Sequence, residues 1–174
     1  MKDNTKILAI ITYVLLVASA SILLNDIREF DFNQFKAFQN WTSTVNKNES
    51  WFRSENAIKW SYYAISVGLF FLRGYLIYGF AHFLPILKEV ELGHYFSDKN
   101  IKNFKKIGNV FITYTINILV LRYFLSALNA DSFHFLNELK IEFTFLIPAG
   151  LAFYILAEIF KRAKETEEEN KLTI

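Results

Sequence analysis

The sequence predicts an all-α membrane protein, an antiparallel bundle of four transmembrane helices whose extracytoplasmic first loop carries a short amphipathic helix. Three observations predict it. Four apolar runs stand out, at Ile7–Leu24, Trp60–Leu87, Ile107–Leu128 and Phe143–Phe160. A hydrocarbon core of about 30 Å takes about 20 helical residues at 1.5 Å each, and open strands cannot span lipid because their backbone groups would go unpaired. The composition agrees: the 174 residues are 53% hydrophobic and 18% aromatic, with a mean hydropathy of +0.21, above the usual soluble domain. Finally, lysine and arginine gather on alternate connections, as they do when loops are sorted across a bilayer.

The first helix, about 7–24, is uncharged throughout. Lys2, Lys6 and the small residues Ala18-Ser19-Ala20 also fit a secretory signal. The apolar run continues through Ile22-Leu23-Leu24 and the rest of the chain is itself apolar, so the segment is read as a retained helix. In the first loop Phe32, Phe35, Phe38 and Trp41 recur every third residue, with Asp31 and Gln34 in capping-box positions. That pattern predicts a helix lying in the outer interface or folded onto the bundle top.

The second helix, about 60–87, should stop at Gly93. Ser97 is a natural N-cap for the third, about 98–128, with Phe96 and Ile101 placed to form a hydrophobic staple across it. Lys99, Lys102, Lys105 and Lys106 fall within two turns of that start and predict contact with anionic lipid, or at least a positive anchor. The fourth helix, about 141–168, carries Pro148, which removes one internal hydrogen bond and should kink it. Lys161/Glu165 and Lys164/Glu168 stand four apart and support a helix continuing into a cytoplasmic tail of about 162–174. The tail ends in Leu172-Thr173-Ile174, short and β-prone, suited to a partner's strand or groove. The whole chain reads as one integral membrane domain, 1–174.

Lys2, Lys6, Lys88, the lysines after Ser97 and those of the tail lie on one side of the predicted membrane, and outnumber Arg28, Lys36, Lys47, Arg53, Lys59 and Lys140 on the other. Both termini are therefore expected in the cytoplasm, and the lipid bilayer is the first partner. Arg73 and Arg122 lie inside apolar runs, at similar heights on neighbouring antiparallel helices. An unpaired charge there costs from about 2.5 kcal/mol upward. They are expected to face the bundle and pair with Asp26, Glu142 or a first-loop carboxylate, as a clamp or an anion site. Glu158 is the intramembrane carboxylate nearest a proton-relay role, yet Lys161 and Arg162 follow it closely and predict an ion pair at the inner interface.

Several function classes are disfavoured. Without cysteine there is no thiolate, disulfide or iron–sulfur chemistry. A net charge of +2 gives no field for direct nucleic-acid binding. No phosphate loop, nucleophile elbow or paired metal motif is present. His82, His94 and His134 lie in different segments, and Glu91 with His94 is interrupted by Gly93. The expectation is a protein without enzymatic activity, metal or cofactor.

Two stretches, YFSDKNIKNFKKIG and IPAGLAFYILAEIFKRAKETEEENKLTI, resemble the best-preserved parts of the YoaS-like family of small bacterial four-helix membrane proteins. Ala163 departs from the glycine that family usually has, which puts a helix break there in doubt. The resemblance implies the bacterial cytoplasmic (inner) membrane and no established activity. It also implies a cytoplasmic protein partner such as a helix-turn-helix regulator, because members are often encoded beside one. The expected function is a non-catalytic membrane partner or sensor acting through its tail. The alternative is a small transporter or channel, a homo-oligomer using Arg73, Arg122 and Glu158; a lipid-directed enzyme has less support.

Overall fold

The computed structural model describes residues 2–30, 55–128 and 142–172. Among them every regular element is helical and none is a strand. The first-loop helix expected around Phe32–Trp41, and Thr173 and Ile174, lie outside the described residues. The elements are α1 (Lys2–Arg28), α2 (Glu55–Ala81), α3 (Phe83–Glu91), α4 (Asp98–Leu128) and α5 (Ile147–Leu172). Among the described residues four helices are long and apolar enough to cross a membrane: Asn4–Arg28, Lys59–Glu91, Asp98–Leu121 and Thr144–Lys171. That is the pattern of a multi-pass membrane protein.

Each helix outruns the apolar segment that predicts it. The apolar run marks the part suited to lipid, while the backbone ladder continues through polar flanks that water can solvate. The second span differs more. It is not one helix over 60–87 but α2 and α3, separated at His82. Pro85 is the physical reason: it has no N–H for the Ala81 carbonyl, and its ring collides with that carbonyl. The chain tightens instead, with His82 N–H donating to the Gly79 carbonyl at 3.2 Å.

α3 ends as its sequence directs. Gly93 adopts φ +84°, its N–H donating to the Val90 carbonyl at 3.1 Å, and His94 N–H reaches back to Glu89 at 2.9 Å. This pair of bonds is a Schellman cap, and a side chain at Gly93 would strain it. Four residues on, the Asn100 N–H donates to the Ser97 hydroxyl at 3.2 Å and opens α4. Phe96 lies edge-on to Phe160, ring centroids 5.4 Å apart.

At Pro148 the observed feature is a wide π turn over Glu142–Leu146, immediately before α5. The wider turn moves the preceding carbonyls away from the proline ring, which an unbroken α-helix would force together. α5 then passes through Ala163 without a break and continues to Leu172.

Neighbouring helices run antiparallel. Leu23 packs over Gly74, Leu121 over Gly68 and Val110 over Gly79, while Phe104 meets Phe160 and Phe111 meets Phe153. Among the described residues α1 packs on α2 and α3 and makes no extended contact with α4 or α5. α4 is central, with 39% of its apolar window buried against 0% for α1. Its interface with α5 is the largest. There Gly108 and Gly150 let the backbones touch: a Cβ on Gly108 would lie 2.8 Å from the Gly150 carbonyl oxygen. Lipid tails are as apolar as leucine, so close packing of this kind, not water exclusion, holds helices together in a bilayer. The core of Ile86, Ile101, Phe104, Ile107, Val110, Phe111 and Ala157 sits toward the α3–α4 connection.

Candidate functional site

Polar side chains collect in two layers. The first lies where α1 ends and α2 passes it. Arg73 donates through Nη1 to Asp26 Oδ2, one of the carboxylate partners that helix geometry allows it. The pair does not lie sealed inside the protein: the side chains are 52% and 35% exposed. It borders a cavity of about 300 Å³ lined by Asp26, Glu29, Phe30, Tyr62, Ser66, Leu69, Phe70 and Arg73. Phe30 stacks on Tyr62 at 5.6 Å and meets Phe70 edge-on at 5.7 Å, closing the cavity's apolar wall. With two carboxylates to one guanidinium, these walls give no net attraction to an anion. The Arg122 and Glu142 side chains lie outside the described residues, so their predicted share in this layer is not placed.

The second layer lies at the opposite end, around the α3–α4 connection. Here the predicted lysines separate into different roles. Lys99 Nζ holds Glu89 Oε1 at 2.8 Å, and His94 Nδ1 stands 3.4 Å from the other carboxylate oxygen. Lys164 reaches from α5 to Asp98 at 2.6 Å and to Glu168 at 3.5 Å. These groups lie beyond the apolar runs that end at Leu87 and Phe160 and begin at Ile107. Lys102, Lys105 and Lys106 are exposed and make no ion pair among the described residues.

Glu158 pairs with Arg162 at 3.8 Å and is half exposed; Lys161 pairs with Glu165, also at 3.8 Å. Among the described residues the Glu158 partner is Arg162, which stands one full turn further along the same face. Lys164–Glu168 forms as the spacing predicts, joined by Lys171–Glu167 at 2.6 Å. Leu172 closes α5. Among the described residues no group of three histidine or carboxylate side chains could hold a metal ion.

Sequence reasoning missed two asparagines. Asn100 is fully buried; its amide donates to the carbonyls of His94 at 3.1 Å and Tyr95 at 2.9 Å. It therefore pins the chain between α3 and α4. Asn103, also buried, places Oδ1 3.0 Å from His82 Nδ1, and Tyr78 meets that imidazole edge-on at 4.7 Å. With the amide oxygen accepting, the imidazole proton sits on Nδ1, and Nε2 is buried without a partner. The available signal was register: Asn100 and Asn103 share the three-and-four spacing of Ile101, Phe104 and Ile107, opposite the lysines. Asn100→Ala should leave two carbonyls unsatisfied and cost about 1–3 kcal/mol. Thermal melting of the purified protein in detergent checks it, and an unchanged melt would refute the pinning role.

A family model described as "Protein of unknown function (DUF2975)" matches residues 44–174. No curated protein and no solved structure matches the chain.

Proposed function

The chain belongs to the DUF2975 family of proteins of unknown function, and from that premise we propose that it is a non-catalytic membrane protein acting on a cytoplasmic partner through the end of α5. One observation carries the reading. α5 does not stop at its last apolar residues but runs on as helix to Leu172, its final turns exposed and rich in glutamate. Beyond Lys164, which still touches α4 through Asp98, about eight residues extend roughly 12 Å further. A rigid acidic helix projecting from the membrane suits recognition by a soluble protein, a helix-turn-helix regulator among the candidates the resemblance implies.

The proposal places four spans as an antiparallel bundle in the bacterial cytoplasmic membrane, with both termini inside. The basic connection and tail support that orientation. Glu158, half exposed and tied to Arg162, gives the transporter alternative no support.

Affinity capture from native membranes tests the proposal. Deleting 165–174 should leave membrane insertion intact and abolish capture of the cytoplasmic partner, while a cysteine at Thr166 should react only with a membrane-permeant reagent. Unchanged capture after deletion, or labelling by an impermeant reagent in intact cells, would overturn it.

A further inference from the structure

We infer that the outward face of α4 binds a single anionic phospholipid, its headgroup on Lys102, Lys105 and Lys106 and its tails along Ile116 and Val120. The structure divides the lysine cluster by what each ammonium already touches. Lys99 is committed to Glu89 and Lys164 to Asp98, which removes them from a shared positive surface. Lys102, Lys105 and Lys106 remain exposed and form no ion pair among the described residues, Lys102 lying near Asp98, whose carboxylate Lys164 already holds. At 3.6 residues per turn they project within an arc of roughly 100°. The opposite face, with Ile107, Val110 and Phe111, is buried against the other helices.

The same outward face continues into the apolar segment. Asn109 is exposed one turn above the lysines, and Ile116 and Val120 are 52% and 49% exposed further on. From Lys106 to Val120 the helix rises about 21 Å, enough to follow a headgroup, its glycerol and most of an acyl chain. Positive charge first, an amide donor next and open aliphatic surface last match a phospholipid in order and direction. A free phosphate or a soluble acidic peptide would use only the first part. The unpaired charge requires a negative headgroup: a zwitterionic lipid brings its own cation to the same place.

Native mass spectrometry of the full chain in a neutral detergent tests this, with equal amounts of phosphatidylglycerol and phosphatidylcholine added. A lysine near an anionic headgroup contributes roughly a fivefold factor, so replacing all three by glutamine should lower the preference for phosphatidylglycerol by about a hundredfold. Lys99→Gln should change it by less than about threefold, since its charge is already paired. Water-soluble glycerophosphoglycerol should not displace the lipid. The triple variant should keep the parent melting temperature in lipid-free detergent, because the three side chains are exposed. A preference retained by the triple variant, an equal loss in Lys99→Gln, or displacement by the soluble headgroup would overturn the inference.

Discussion

A Gly108→Val variant is expected to melt roughly 5–10 °C below the parent protein in detergent while keeping most of its helix content. Even the first added carbon would lie 2.8 Å from the Gly150 carbonyl oxygen and 2.9 Å from the Tyr154 ring. A tyrosine ring can turn aside; a carbonyl within a helix ladder cannot. The two helices must therefore separate, loosening Phe104 from Phe160 and Phe111 from Phe153, whose centroids are now 5.0 and 5.7 Å apart. Overpacking costs about 1–3 kcal/mol, and toward the upper end where backbone is the obstacle. For a chain of this size that corresponds to several degrees. Each helix satisfies its own backbone in an apolar medium, so circular dichroism should change little. A melt within about a degree of the parent would mean that α4 and α5 do not cross at these glycines.

The second large effect belongs to Arg73. Arg73→Met should destabilise the protein in detergent, and adding Asp26→Asn should restore part of the loss. Removing the guanidinium leaves the Asp26 carboxylate without its cation in a cavity that Glu29 also lines. Neutralising that carboxylate removes the penalty, so the double-mutant cycle should report a coupling of about 1–3 kcal/mol. Because both side chains are partly exposed, the cost should fall below that of a sealed pair. Additive losses would show that the two residues act independently and that the contact holds nothing.

That Arg73 would meet a carboxylate near the end of the first helix or the start of the fourth was legible because membrane thickness makes height along a helix a simple count; which carboxylate, Asp26, was not. The caps at Gly93 and Ser97 were legible for a different reason, since backbone termini demand particular chemistry within a few residues. What the sequence left hidden depends on which neighbour a face meets. Lys99 and Lys102 are alike as letters; only the arrival of Glu89 from α3 separates them. The glycines of α4 and α5 read as small residues in apolar runs until the two backbones are set beside each other. Pro85 is a local signal that the length and apolarity of the run do not carry. The helix divides there because a missing hydrogen bond and a steric collision act locally, whatever surrounds them.

The placing of α1 has a consequence for how the chain is made. α1 rests on α2 and α3, these rest on α4, and α4 rests on α5, so the principal contacts join helices adjacent in the chain. Each hairpin can close as soon as its second helix leaves the ribosome and enters the bilayer, without waiting for a later segment to come back across the membrane. Loop-closure entropy grows only slowly with loop length, and topologies dominated by nearby contacts assemble quickly. The Gly108–Gly150 crossing, where one backbone meets another, forms last, when α5 arrives. Until then α4 exposes in lipid the face that holds Phe104 and Phe111, and that incomplete intermediate is where a quality-control protease would find its opportunity.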